Sequence, residues 1–401
     1  MKKKRCIVFL AGCLLLLLAP KAKAAAGEGV QLGPTLLFPV LNVSGTYDDN
    51  FYLTSHNPES GWETSIAPSL RIVLPVRRFY LNAEGGLEFL KYYDIDEGDS
   101  TDWFVGAAVG ADFPGGLSFK VADRHEVTYL PATQEFGAGE DFTQNNLTAK
   151  VAYAVSASLR LELSGLRKTF TYDLSDDRDR VESSGRAVLY WKFRPEISAL
   201  FEGAYESFKY DSNTAQDNNS TEIVLGVTWE FTTKSTGFAK AGYQWKSYDA
   251  QDASLGTEDG EYYTFSGGLN HAFTPRTVLG VELLHESEES DFPENPYYLT
   301  TAFGANLSQR LTEKLYARAG ARYSSDAYPN ATSYDNPYDD VTGVESGKRT
   351  DATINARLSL GFDMTHWLVF ELAYEGEWRD STYDTFDYDQ NRVTLSAKAV
   401  F

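Results

Sequence analysis

Hydrophobic and polar residues alternate one by one along much of this chain, and the last strand-like segment shows the pattern well. From Val393 to Phe401 every second residue is apolar, and most residues between them are polar. A period of two is typical of a β-strand with one apolar and one hydrated face. Residues 223–231 and 354–362 repeat the pattern. We therefore predict strands, not helices, for the body of the chain.

Short turns and longer connections join the strand-like segments in regular succession. The short turns carry Pro, Gly or small polar residues, which favour tight reversals. They lie at residues 74–76, 113–116, 155–158, 193–195, 232–235, 273–276, 311–314 and 364–366. The longer connections are acidic and include residues 93–99, 173–180, 287–295 and 325–348. Eight turns and nine loops connect eighteen strands. We predict an all-β, antiparallel, up-and-down transmembrane barrel of 16–18 strands.

A barrel in the outer membrane explains how the last strand of the pattern is paired. A soluble sheet would expose the last strand as an edge, whereas in a barrel this strand pairs with the first one. Aromatic residues make up 14% of a chain whose mean hydropathy is only −0.36, as expected when alternate residues meet lipid. We expect the terminal Phe401 to be the signal read by the barrel-assembly machinery, and the longest loop, 325–348, is a candidate to plug the pore.

The N-terminus has the features of a secretory signal. Basic residues 2–5 precede an apolar run at 7–19, and Ala22-Lys23-Ala24 fits a cleavage site. A lipoprotein acylation box at residues 10–13 is the alternative, but it would cut the apolar run in half. We predict a signal peptide at 1–24, a short periplasmic leader without clear structure at 25–35 and the barrel at 36–401. Both cysteines, Cys6 and Cys13, lie in the signal.

Charge limits the partners. Removing the signal takes away six positive charges, which lowers the formal net charge from −21 to −27 and argues against nucleic acid. Acidic residues Asp94, Asp96, Glu97 and Asp99 resemble a Ca²⁺ loop, but the glycine is one place early and the closing glutamate is missing. We predict no metal site and no cofactor, and we expect outer-membrane lipid and lipopolysaccharide as partners.

Alternation assigns charged residues to the inner face of the barrel. They are Glu282, Glu286, Glu371, Glu375, Glu377, Arg318, Arg322, Arg357, Arg392 and Lys398. Such residues form cross-strand ion pairs that brace the wall, or they line a constriction through which solutes pass. Five aromatic residues on the same face either fill space or stack on sugars. They are Tyr80, Phe104, Tyr190, Phe238 and Tyr316.

Catalysis has little support in the sequence. Among the five histidines, His285 precedes Glu286 and Ser287 near the end of a strand. Adjacent residues of a strand face opposite sides and cannot converge as a triad. We therefore expect no enzyme activity.

The first hairpin resembles a known family. Tyr47-Asp48-Asp49-Asn50 and Pro68 in the next strand are similar to the motif of the β-barrel porin 2 family of outer-membrane proteins. The resemblance implies a role in exopolysaccharide secretion, with periplasmic and inner-membrane export components as partners. The three acidic and amide residues of the motif are also natural turn formers.

Three functions remain open at this point. The first is an outer-membrane channel that exports or passes a saccharide polymer. The second is a general diffusion porin for small hydrophilic solutes. The third is a structural or adhesin-like barrel whose acidic extracellular loops are the working surface.

Overall fold

The structure is a computed structural model that describes residues 29–95, 98–131, 139–232, 234–251, 257–292, 295–335 and 344–401. Its strands are β1 Val30–Leu32, β2 Thr35–Asp48, β3 Gly61–Val76, β4 Phe79–Tyr93, β5 Ser100–Asp112, β6 Leu117–Leu130, β7 Glu140–Ala154, β8 Leu159–Tyr172, β9 Arg180–Arg194, β10 Ile197–Tyr210, β11 Asn218–Thr232, β12 Ser235–Tyr248, β13 Gly260–Thr274, β14 Thr277–Phe292, β15 Asn295–Arg310, β16 Leu315–Asp335, β17 Val344–Asp363, β18 Leu368–Ser381 and β19 Tyr388–Val400. Three single-turn 3₁₀ helices lie at Asp176–Arg178, Thr214–Gln216 and Asp384–Phe386. No helix in the described part of the chain is long and apolar enough to cross a membrane.

Strands β2–β19 form a closed antiparallel barrel of eighteen strands. Each strand pairs with its neighbours in sequence, and β19 pairs with β2 from Arg392–Asp48 to Val400–Val40. Closure pairs the backbone groups that lipid cannot hydrogen-bond. The predicted barrel, its strand number and its closure by the last strand are confirmed.

The segment that we predicted as an unstructured leader contains β1. Residues 30–32 pair with residues 35–37 of β2. Gly33 lies at the turn with a φ of +62°, which a glycine adopts without strain. The backbone freedom of this glycine is the physical reason for the extra hairpin.

All eight predicted turns lie within about two residues of their expected places, at the end of the barrel that we call the turn end. The first one forms at Arg77 and Arg78 instead of residues 74–76. Leu74, Pro75 and Val76 remain paired with β4, because the outward apolar series continues to Val76, which is half-exposed on the barrel surface. Arg77 makes the reversal with a φ of +54°.

Two predicted long loops, at the opposite loop end, are wrong. Residues 287–295 mostly extend β14 and begin β15, and much of 325–348 extends β16 and β17 to Asp335 and Val344. Both stretches are paired hairpins, since backbone pairing continues beyond the apolar band of the wall. Residues 336–343 lie outside the described part of the chain. The loop end of such barrels faces the cell exterior.

The outer face of the wall is apolar in the way that the alternation predicts. Leu225 and Leu358 are 63% and 56% exposed, which places them on the surface that meets lipid. Phe193, Phe231 and Phe273 stand exposed just before turns, at the level expected for an aromatic girdle. The polar residues between these apolar positions point into the barrel.

Candidate functional site in the barrel lumen

A row of alternating charges crosses three neighbouring strands inside the barrel. In register, Arg357 of β17 lies beside Glu375 of β18, which lies beside Arg392 of β19. Arg357 forms ion pairs with Glu375 and, at 2.9 Å, with Glu371, while Arg392 lies 3.3 Å from Glu375. The charges therefore brace one another along the wall.

Two further ion pairs reach over an intervening strand. Arg318 of β16 lies 3.0 Å from Glu371 of β18, and Arg322 of β16 lies 3.2 Å from Glu282 of β14. Strands two apart are about 9.6 Å from each other, a gap that side chains bridge only where they converge, on the concave face. Gly304 lies between Glu282 and Arg322 and leaves room for their pair. These side chains thus point into the lumen.

The arginine side chains of this row are more exposed than its glutamate side chains. The side chains of Arg318, Arg357 and Arg392 are 55%, 54% and 41% exposed, whereas those of Glu371 and Glu375 are 17% and 29% exposed. Inward-facing groups with this exposure must meet water inside the barrel. A recess of about 330 Å³ is lined by six of the ten charged residues assigned to the inner face. They are Glu282, Arg322, Arg357, Glu375, Glu377 and Arg392.

Glu377 of the recess also accepts a 2.5 Å hydrogen bond from the Tyr388 hydroxyl. Two other charged candidates lie elsewhere on the inner wall. Glu286 lines a second recess with Glu222, and Lys398 lines a third near the turn end. The structure therefore brings most of the predicted lumen residues together on β14–β19 and leaves Glu286 and Lys398 apart from them.

Four of the five candidate sugar-stacking rings lie over glycines of the adjacent strand. Any Cβ at Gly110, Gly86, Gly268 or Gly361 would collide with Tyr80, Phe104, Phe238 or Tyr316, respectively. The fifth, Tyr190, lies in register between Arg160 and Leu200. This packing shows that the rings fill the wall where glycines leave space. Sugar stacking stays a prediction.

The family-motif residues fasten the seam where the barrel closes. Asp48 accepts a hydrogen bond from Gln390 at 2.7 Å, and Asp49 accepts one from the backbone amide of Asn391 at 2.6 Å. The Asn50 side chain, in a residue only 2% exposed, donates to the Asp389 carbonyl at 3.0 Å. Tyr47 packs on Trp62 on the outer face, where Pro68 also lies opposite Leu41. Phe401, the predicted assembly signal, stacks on Trp367.

Replacing Asn50 by Ala should weaken this seam. The change leaves the carbonyl of Asp389 and the amide of Thr54 without their side-chain partners. An unsatisfied buried group costs about 1–3 kcal/mol, so the midpoint of urea unfolding should fall measurably. Asn270→Ala, at an exposed position on the extended backbone of β13, is the matched control. An Asn50→Ala midpoint equal to that of the control would contradict the role of the seam.

Alternation did not predict that one hairpin lies against the inner wall at the loop end. Beyond His285, β14 leaves β13, and β15 joins β16 in register only from Leu299, so residues 286–298 form a hairpin that departs from the wall. Near its tip Ser290, Asn295 and Pro296 are buried. We call residues 286–298 the infolded hairpin. Its sequence signal is the polar run from His285 to Ser290, because a strand polar on both faces cannot lie against lipid.

Side chains of β11 and β12 hold the infolded hairpin from inside the barrel. Lys246, which is 3% exposed, forms an ion pair with Glu289, and Asn218 donates to Glu289 at 3.0 Å. Ser287 donates to Gln244 at 2.7 Å. The lysine also faces the ring of Tyr297 at 5.2 Å. The hairpin is thus latched across the inner wall through a buried charge pair.

A repeated sequence element shapes the rim, and its spacing was a signal that pattern reading missed. Tyr172 and Tyr210 are 38 residues apart, and each is followed seven residues later by an aspartate that accepts its backbone amide. Burial raises the pKa of Asp179, the first of these aspartates. The Asp217 carbonyl accepts the backbone amide of Asp249 in the next loop. Neighbouring rim loops therefore support one another.

Candidate metal and catalytic positions lie apart. In the part of the chain that the structure describes, no group of three or more His, Cys, Asp or Glu side chains is placed to hold a metal ion. Asp99, from the loop weighed for Ca²⁺, pairs with Lys91 at 3.1 Å, while Asp96 and Glu97 lie outside the described residues. His285 stacks on Phe265 on the outer face, opposite in direction to Glu286.

Solved structures with the same fold are outer-membrane proteins. The copper transporter OprC is 12% identical and aligns over 89% of this chain and 65% of its own, with a TM-score of 0.50. The FrpB iron transporter from Neisseria meningitidis is 8% identical over 86% of this chain and 62% of its own, also at 0.50. This chain therefore spans less than two thirds of the length of those two transporters.

The outer membrane protein OpdK from Pseudomonas aeruginosa matches in length. It is 11% identical and aligns over 91% of this chain and 99% of its own, with a TM-score of 0.50. At these identities the likeness shows the fold alone. No curated protein matches the sequence. The family model described as "Putative beta-barrel porin 2" matches residues 23–401. The chain therefore belongs to the β-barrel porin 2 family and is a porin-like channel of the outer membrane.

Proposed function

We propose that this barrel is a selective channel for small hydrophilic solutes. The observation that carries the proposal is the half-exposed state of Arg318, Arg357 and Arg392 on the inner wall. Guanidinium groups with this exposure line water, so the middle of the lumen is hydrated. A hydrated lumen inside a closed wall is the requirement for passive passage of polar solutes.

Size selection follows from the infolded hairpin. The hairpin lies against the inner wall at the loop end and covers Lys246, which would be exposed in a wide, open pore. We expect passage of a saccharide polymer to require displacement of this hairpin. Polymer export thus stays a prediction of the family resemblance, together with its export partners, and small solutes are the better match to the geometry.

The exposed layer of guanidinium groups favours solutes that bear a carboxylate or another anionic group. Arginine presents several fixed N–H donors that match such groups in pairs. The carboxylates of Glu371 and Glu375 lie beneath this layer and hold the arginines in position. We therefore infer that anionic solutes bind transiently along β16–β19 during passage.

Replacing both Arg357 and Arg392 by Ala should shift ion selectivity toward cations. The change exposes Glu375 without its two cations, so the ratio of chloride to potassium permeability should fall severalfold. Reversal potentials in planar bilayers under a salt gradient measure this ratio. Lys91→Ala, at an exposed rim pair, is the control. A ratio equal to that of the control would reduce the two arginines to braces of the wall.

Single-channel recording of the purified protein tests the proposed function. We expect a small, stable conductance that small carboxylated solutes reduce and that a saccharide polymer leaves unchanged. Block or passage of the polymer would instead support export. A barrel that never conducts would point to the structural or adhesin-like role, with the acidic rim as its working surface.

A further inference from the structure

The outer face of β6–β8 carries a polar patch beside an apolar stretch of β5, whose Ala107 and Val105 lie opposite Asp123 and His125. On β6 the outward residues are apolar from Leu117 to Val121 and then become Asp123 and His125. On β11 they remain apolar from Phe231 to Ile223. The outward apolar series of β6 is thus interrupted by two polar residues before it resumes at Val127, whereas that of β11 is apolar over nine residues.

Register and ring contacts show that the polar side chains face outward. Asp123 of β6 and Arg167 of β8 both lie directly opposite Leu147 of β7, which is 41% exposed. His125 contacts the outward ring of Trp103 at 5.2 Å. Asn145, opposite His125, donates to Asp123 at 2.9 Å. We call Asp123, His125, Asn145 and Arg167 the polar patch.

Charged groups on the lipid face of a barrel are unfavourable, and more so with depth. Asp123 lies just beyond Val121, and Arg167 is exposed two strands away. An anionic lipid headgroup would attract Arg167 but repel Asp123. A protein surface that carries both a basic and an acidic group can form ion pairs with both Asp123 and Arg167.

We propose that the polar patch is a dimer interface with a second copy of this chain. The acid and the base flank Leu147 at equal distances along the wall, one strand to each side. A two-fold axis along the membrane normal beside Leu147 exchanges the two sides. The two Leu147 side chains then meet, and the strand tilt leaves Asp123 about 6 Å in height from Arg167 of the other copy, a gap that the long arginine side chain spans. Such an interface is isologous and self-complementary.

The outer wall beside the patch permits close approach. Gly165 lies two residues before Arg167 on β8, and Gly185 of β9 lies directly opposite it. Both glycines face outward. A Cβ at Gly185 would meet no atom within 4 Å, so packing inside this chain does not require the glycine. Small residues let two backbones approach in a membrane.

Cysteine cross-linking in native membranes tests the proposal. The chain contains only Cys6 and Cys13, so replacing both by Ala makes Leu147→Cys the sole thiol. Leu358→Cys, 56% exposed on the lipid face of β17, is the matched control. We expect oxidation to convert Leu147→Cys to a dimer at least tenfold more efficiently than the control. Equal cross-linking of the two variants would overturn the proposal.

Charge exchange tests the pairing itself. Asp123→Arg in the Leu147→Cys background should lower cross-linking severalfold, because two arginines then face each other. Adding Arg167→Asp should restore it. Heat-modifiable migration confirms that each variant is folded. If Asp123→Arg does not fold, Arg167→Asp replaces it as the single variant. Two results would overturn the charge pairing. One is a folded single variant that cross-links as efficiently as its parent, and the other is a double variant in which cross-linking is not restored.

Discussion

Removing the infolded hairpin should raise the single-channel conductance severalfold. Ser287 and Leu299 face each other in register, so residues 288–298 can be replaced by Asn-Gly, a two-residue turn that closes antiparallel strands. The change removes Glu289 and Tyr297 from the inner faces of β11 and β12 and leaves the lower wall intact. Planar-bilayer recording of the purified barrel measures the effect.

A second truncation serves as the control for this experiment. The β16–β17 hairpin also extends past the wall, and Thr332 pairs with Gly347 there. Replacing residues 333–346 by Asn-Gly shortens that hairpin without touching the latch at Lys246. We expect little change in conductance. A large increase in this variant, with none after truncation of the infolded hairpin, would show that the long β16–β17 connection restricts the pore.

Replacing Lys246 by Ala should release the infolded hairpin without removing it. The change leaves Glu289, whose side chain is only 13% exposed, without its cation, and breaking one partner of a buried pair costs about 3–5 kcal/mol. The hairpin should swing away from the wall, which gives frequent transitions to larger conductance. Amide exchange at Tyr297 should rise in parallel.

Two further variants separate the latch from a general loss of stability. Lys246→Met with Glu289→Met replaces the pair by apolar groups of similar size, and such a replacement is often neutral. It should restore the quiet, low conductance. Lys91→Ala breaks an exposed ion pair, and such pairs contribute little to stability. If Lys246→Ala behaves like Lys91→Ala, the buried pair does not hold the hairpin.

The strands of the barrel wall were predictable because the requirement to match lipid or water applies to each residue separately. A residue faces either lipid or water, so alternation in residues 223–231 and 354–362 reveals strands without knowledge of their partners. Turn chemistry at residues 113–116 is equally local. The closing strand followed from the same argument, since an unpaired edge at Phe401 would be unfavourable in lipid.

Contacts inside the lumen were less predictable because they depend on register and on distant strands. Lys246 and Glu289 are 43 residues apart, and nothing near either one indicates that they meet. Whether the rings of Phe104 and Tyr316 fill space or stack on sugars could not be decided from the sequence, because it does not show which glycines lie beside them. The polar run from His285 to Ser290 did contain a local signal, but we had assigned its first residues to the end of a strand and residues from Ser287 onward to a long loop.

Thiol accessibility inside the lumen tests the central claim most directly. Asn355 lines the recess beside Arg357, so Asn355→Cys, with Cys6 and Cys13 changed to Ala, puts one thiol on the hydrated wall. Small charged reagents should modify it from both sides of the membrane. Bulky reagents should react only from the periplasmic side, and removal of the infolded hairpin should admit them from outside. Equal reaction of bulky reagents from both sides of the intact barrel, or no reaction at all, would contradict this account.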